Sequence, residues 1–438
     1  MLKLRRSLER VSLFLAIAVS ITGWIVLPVP VLLGCAVALV AWLAVTRTGH
    51  QAAAVTWVGI LTLPQRIGAS SVIVVGIAGV VGVLVALLAL AGGLQETLRG
   101  TGNLDTAIVL RGGATAELAS GLSREDATLI LQAPGVARDA EGRAIGSAEI
   151  VVVTNIPKKS NGVEANVEIR GVGPQMWQVR PNVHIVEGRA FKPGLREVIV
   201  GRGARAQFAG LEPGTTINLN AQPWRVVGVF ESGDAHESEI VGDAETVATT
   251  YRRNGFQSVT VRLASRQSFD TFKAALKSDP RLKVDVHTTR DYYTAQSEQL
   301  SRVIRIVGIV IATIMAIGAV FGALNTMYAA VTSRAREVAT LRAIGFGATP
   351  VLVSVILEAM LLALLGGALG AAVTWFIFHD YAVSTLGSNF SQVVFRFDVS
   401  PSLVGTGLRW ALAIGLVGGL LPAARAARLP VTAALRES

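Results

Sequence analysis

The chain has 438 residues, 51% of them hydrophobic and only 16% charged, with a formal net charge of +10. Segments 1–10, 46–66, 332–350 and 422–438 hold twelve Lys/Arg against three Glu, whereas 97–300 holds 24 basic and 23 acidic residues. Such a distribution marks a membrane protein with a large soluble part, its cations gathered on the cytoplasmic side, and excludes a nucleic-acid partner. The lone cysteine, Cys35, excludes both a disulfide framework and a Cys-based zinc site.

In chain order, Lys3, Arg5, Arg6 and Arg10 precede an apolar run from Val11 to Val45, broken by Pro28 and Pro30 and followed by Arg47. No small-residue cleavage pattern follows, so the run is expected to stay attached. Cations at both ends fit a hairpin of two short spans turning at Pro28-Val29-Pro30, with a re-entrant segment as the alternative. Residues 1–50 thus form an N-terminal hydrophobic hairpin. In 51–95, Thr56–Gly68 reads as an interfacial helix and Ser71–Leu90 as a span. Gly76, Gly79 and Gly82 give that span one small-residue face.

Residues 96–300 contain no run long enough to cross a bilayer and read as an α+β domain. Strands are expected at Thr106–Arg111, Ala148–Thr154, Val163–Val172, Glu197–Val200, Trp224–Phe230, Ser258–Leu263 and Lys283–Thr288, and helices at 124–132 and Gln267–Lys277. Glu231–Glu245 gathers six carboxylates around His236 without fixed ligand spacing and is read as a solvated acidic loop. His184 and His287 are isolated, and no nucleophile stands in a catalytic motif, so no catalytic residue, cofactor or metal site is expected in this chain.

In 301–438, spans are expected at Ile306–Val331, Val351–Phe378 and Leu403–Leu421, with a short outer loop at His379–Ser402. Gly318-x-x-x-Gly322 and Gly366-x-x-x-Gly370 are faces that allow close helix packing, and Glu358 is a carboxylate inside a span, where it is costly and usually faces a protein partner or water in a structural role. Between the first two of these spans, Thr332–Pro350 carries Arg334, Arg336 and Arg342 against Glu337 alone, which puts it in the cytoplasm. There Val338, Leu341 and Ile344 make a narrow apolar stripe, and Gly345 and Gly347 end the short helix.

Arg336-Glu337-x-x-x-Leu341-Arg342-Ala343-Ile344-Gly345 closely resembles the signature of the FtsX/MacB class of ATP-binding-cassette (ABC) permeases. Leu357-Glu358-Ala359 with Leu364-Leu365-Gly366-Gly367, and Ala424-Arg425 through Pro430-Val431, resemble the same class. Leu211–Ile217 leading into Arg225–Val229 is similar to a strand pair of MacB-type outer domains. The resemblance implies an α-helical integral membrane protein of the cytoplasmic (inner) membrane. It would have four family-type transmembrane helices besides the N-terminal hairpin, and an inserted α+β extracytoplasmic domain at 96–300. It also implies a permease subunit that dimerises with itself or a paralogue and meets a periplasmic adaptor. Such a subunit receives the work of a separate ABC ATPase through 332–350, with Arg334, Arg336, Glu337, Leu341, Arg342 and Gly345 as coupling residues. ATP and Mg would sit on that partner, because no Gly-Lys dipeptide, and so no Walker A loop, occurs here. The rival functions are a lipoprotein-releasing permease of the LolC type and an FtsX-like regulator of a cell-wall hydrolase; a membrane receptor would leave the coupling signature without a role.

Overall fold

The structure is a computed structural model that describes residues 23–24, 27–379, 381–386 and 392–428, so the first arm of the expected N-terminal hairpin lies outside the described residues. Helices α1 (Val29–Val45) and α2 (Arg47–Leu61) meet at a 99° bend. Thr46 makes the corner: its backbone is extended, and its hydroxyl oxygen accepts from Gly49 N at 2.9 Å, capping α2. The interfacial helix expected at 56–68 is therefore displaced. The helix starts at Arg47 and stops at Leu61, before a 3-10 turn at Leu63–Arg66 in which Pro64 supplies no N–H. Helix α3 (Ile67–Thr101) follows.

Between Ala91 and Arg302, joined by residues 380–397, the chain builds a compact outer unit. In order it contains β1 (Thr106–Arg111), α4 (Arg124–Gln132), β2 (Gly146–Pro157), β3 (Glu164–Val172), α5 (Met176–Val179), β4 (His184–Gly188), β5 (Glu197–Gly201) and α6 (Arg202–Gln207). Then come β6 (Thr216–Leu219), β7 (Gln222–Glu231), β8 (Glu239–Asp243), α7 (Ala244–Tyr251), β9 (Ser258–Arg262), α8 (Ser268–Ser278) and β10 (Val284–Thr288). The strands form one mixed sheet in the order β10-β1-β9-β2-β3-β8-β5-β7-β4, with β6 paired to β7. Pairing is parallel at β3–β8 and β5–β7. The β6–β7 strand pair closes through Asn220 and Ala221, both left-handed (φ 47° and 60°), as a two-residue hairpin requires.

Strand alternation gives the sheet two different faces. Ile150, Val167, Ile169, Val198, Val200, Val226 and Ile240 turn to the larger core, with Trp224, Phe208 and Phe272. On the other face Ile199, Val227 and Val241 join Met176 and Phe230 in a smaller one. That second face also buries charge. Arg170 donates to Glu117 at 2.8 and 3.0 Å, to Glu149 at 2.9 Å, to Glu168 at 2.6 Å and to Glu239 at 2.7 and 3.1 Å. Arg180 grips Glu149 at 2.5 and 2.8 Å, and Ser258 donates to Glu117 at 2.6 Å. Burial alone would raise the Glu149 carboxyl, but Arg180 and Arg170 outweigh it and hold it at about 2.

The segment 231–245 is not the solvated loop expected from its composition. Asp234, His236 and Glu239 are buried, because Glu239 lies on β8 beside β3 and reaches Arg170 and His236. Composition hid the burial of Glu239 because its cation, Arg170, comes from another strand, while Glu245 stays exposed as expected.

The outer unit closes where the chain enters and leaves it: Asn103 N donates to Thr289 Oγ1 at 2.8 Å, and Thr289 Oγ1 donates to Asn103 O at 2.9 Å. Helix α9 (Thr289–Ser333) starts there, followed by α10 (Ala335–Ala343) and α11 (Ala348–Phe378). The outer loop expected at 379–402 contains instead an antiparallel hairpin, β11 (Ala382–Leu386) with β12 (Gln392–Arg396), in which Val394 N donates to Ser238 Oγ of the outer unit at 2.8 Å. Helix α12 (Pro401–Arg428) ends the described chain. Among the described residues four helices are long and apolar enough to cross a membrane, at 63–101, 289–333, 348–378 and 401–428.

Candidate coupling site

The short helix α10 stands between two of these spans. It ends in a Schellman turn: Gly345 takes φ +106°, Phe346 N donates to Leu341 O at 3.0 Å and Gly345 N to Arg342 O at 3.2 Å. A side chain at Gly345 would be strained in that left-handed position. Of the apolar stripe, Val338 is buried, Leu341 is half-buried and Ile344 is 69% exposed. The stripe thus divides, its start holding α10 to the bundle and its end open. Arg336 and Thr340 are exposed, and the Glu337 side chain is 60% exposed.

Arg334 precedes the helix and binds two carboxylates. Its Nε donates to Glu337 at 3.0 Å, and its Nη1 reaches both oxygens of Glu358 on α11, at 2.9 and 3.2 Å. Glu358 is 5% exposed at its side chain and Arg334 15%. Gly59 on α2 makes room for this pair, since a Cβ there would collide with the Glu358 carboxylate. A cavity of about 290 Å³ adjoins, lined by Arg66, Ser70, Thr326, Ser333 and Glu358 along with apolar side chains such as Leu362. Sequence reasoning named Glu358 and Arg334 separately but did not pair them. The available signal was a carboxylate in a span, which demands a cation within reach.

The glycines divide in the same way. A Cβ at Gly366 would lie 2.7 Å from Val74 O, and one at Gly370 would strike the Ala78 backbone, so these two set α11 against α3. Gly367, Gly415 and Gly419 do the same between α11 and α12, against Ala411, Ala363 and Ala359. Gly76, Gly79, Gly318 and Gly322 have no such neighbour within 4 Å among the described residues. At the end of α12, Arg425 lies over the Tyr328 ring of α9, 5.6 Å from its centroid.

A bundle of apolar spans, a charged helix slung between two of them and a large mixed-sheet domain in the chain between the first and second of these spans define a multi-pass membrane protein. Residues 70–279 match the MacB-like periplasmic core domain, and 309–431 match the FtsX-like permease C-terminal domain. The chain belongs to the FtsX/MacB-like family of ABC permeases. A Hahella chejuensis protein named macrolide export ATP-binding/permease protein MacB is 27% identical over 315 residues, 65% of this chain and 45% of that protein. Its Burkholderia pseudomallei namesake is 26% identical over 341 residues, 72% of this chain and 50% of that protein. The chain thus spans about half the length of these curated relatives. The crystallised periplasmic region of MacB from Actinobacillus actinomycetemcomitans aligns with 46% of this chain and 96% of its own, at 19% identity and a TM-score of 0.35.

Proposed function

We propose that the chain is the non-catalytic permease subunit of a MacB-like ABC transporter, driven by an ATPase carried on a separate polypeptide that holds the ATP and Mg. The observation that carries this reading is the arrangement of α10. Its exposed side offers Arg336, Glu337, Thr340 and Ile344 to a partner, and its inner side is tied to α11 through Arg334 and Glu358. A partner that moved α10 would therefore load a buried ion pair on a span instead of a slack loop. The signature that names the family falls on this helix. The 438 residues contain no Gly-Lys dipeptide with which to cradle a nucleotide. Dimerisation and an adaptor belong to the same reading. Lipoprotein release and hydrolase regulation are its rivals, and no observation favours them.

Glu337→Ala combined with Ile344→Ala removes one exposed charge and one exposed apolar group, contacts that commonly contribute about 1–3 kcal/mol each at an interface. Co-purification of the ATPase and its stimulated turnover are expected to fall together, with membrane insertion unchanged because Arg334, Arg336 and Arg342 remain. Wild-type association and wild-type turnover in the double variant would refute the docking role.

A further inference from the structure

The buried charges of the outer unit reach the first turn of α9 from two directions. Glu117, held by Arg170, donates its backbone N–H to the Tyr292 hydroxyl oxygen at 3.1 Å. His236 meets the Tyr293 ring edge-on, with centroids 5.9 Å apart, and the two tyrosine rings stand 5.2 Å apart. A guanidinium fills the centre of the four carboxylates, so the cluster is built around its own cation.

We propose that this cluster clamps the root of α9 and that His236 is its proton-sensitive catch, a positioning residue whose neutral ring holds Arg180 and whose protonated ring releases it; the clamp acts on transport only if the transporter reading proposed above holds and α9 takes part in it.

The hydrogen bonds fix the state of the ring. Arg180 Nε lies 3.3 Å from His236 Nε2, and a guanidinium nitrogen can only donate, so Nε2 offers a lone pair. The ring proton then sits on Nδ1 and is donated to Glu239 Oε1 at 3.0 Å. A second proton, on Nε2, would set two donors against each other and force Arg180 Nε away. Arg180 would still be held by its two hydrogen bonds to Glu149, so it would swing and not depart.

The surrounding charges favour that second proton. Glu117, Glu149, Glu168 and Glu239 oppose only Arg170 and Arg180, which leaves −2 before the ring is protonated and −1 after. Asp234 accepts from His236 N at 3.0 Å, and Glu237 lies on the same turn. Burial lowers the imidazole pKa, but Glu239 and Asp234 outweigh burial and Arg180, and it ends above the ordinary 6.5. A folded-state pKa that is raised means that the imidazolium stabilises the fold fully below the ordinary value, and that this stabilisation is lost as pH rises through the folded value. Acid therefore opens the catch inside a folded domain.

The test uses the full chain in bilayer discs with 13C-labelled histidine. There are five histidines, and His236→Gln assigns the signal. Between about pH 5.5 and about pH 9, His236 is expected to titrate with a midpoint above the ordinary value. Corrected for intrinsic chemistry, amide exchange in residues 176–185 is expected to run about fivefold faster in the protonated state, the effect of one lost hydrogen bond, and to lose this pH dependence in His236→Gln. Absence of a His236 titration in the wild-type protein, a midpoint below the ordinary value, or the same loosening in His236→Gln would each overturn the proposal. None of these readouts involves an ATPase, so they stand apart from any failure of the transport reading.

Discussion

Removing Glu358 leaves the Arg334 guanidinium largely buried with no partner inside the bundle. Breaking a fully buried ion pair from one side commonly costs about 3–5 kcal/mol. Here Arg334 is 15% exposed and keeps Glu337 at 3.0 Å, and its partner Glu358 lines a cavity of about 290 Å³ wide enough for water. These reduce the expected loss for Glu358→Leu to about 2–3 kcal/mol, with a similar loss for Arg334→Met. The double variant removes both charges and is expected to lie within about 1 kcal/mol of wild type, giving a coupling energy near 2 kcal/mol or more. Detergent-titrated unfolding of the purified full chain, read by fluorescence, measures all three. Single losses under about 0.5 kcal/mol that simply add in the double variant would refute the claim that this pair fastens α10 to α11.

Gly370→Val drives a side chain into the Ala78 backbone and is expected to destabilise the bundle by at least about 2 kcal/mol, whereas Gly318→Val and Gly322→Val, with open space at each site, are expected to leave a single chain's unfolding midpoint unchanged. Gly345→Ala places a Cβ at φ +106° and is expected to cost about 1 kcal/mol, read as faster amide exchange in residues 335–346. The outer unit is expected to resist acid until well below neutral. The Glu149 carboxyl falls from 4.5 to about 2, so its contribution of about 3 kcal/mol is present above the ordinary value and is lost as pH falls from about 4.5 to about 2. Tryptophan fluorescence of thermally unfolded full chain across that range checks the sign.

Much of the outer sheet was legible because β1, β5 and β7 carry short continuous apolar runs that are buried on both faces of the sheet. Strand β8 was not. Glu239-Ile240-Val241-Gly242-Asp243 reads as acidic, and its burial depends on Arg170, 69 residues away, which no local pattern reveals. The hairpin at Ala382–Arg396 was missed for a related reason: its strands are short and half-polar, and they form where Ser238 offers a partner. On α10 the glycine stop was legible because φ > 0 demands glycine, and the family signature followed from residue order alone. Which residues of its stripe are open was set by packing against the bundle, so Val338 turned inward and Ile344 outward. The glycine faces behaved likewise, since spacing gives a small-residue face but not its neighbour: Gly366 and Gly370 meet α3, and Gly318 and Gly322 meet no neighbour among the described residues.

The central claim is that ATP turnover outside this chain is relayed through α10 and the spans to the outer domain. Hydrogen exchange of the permease–ATPase complex in bilayer discs, compared with and without Mg-ATP, tests it most directly. Exchange is expected to change in residues 335–346, in 289–302 and within 97–288, and the outer changes are expected to vanish in Glu337→Ala/Ile344→Ala. Steady ATP hydrolysis with identical exchange throughout 97–302 would contradict the account.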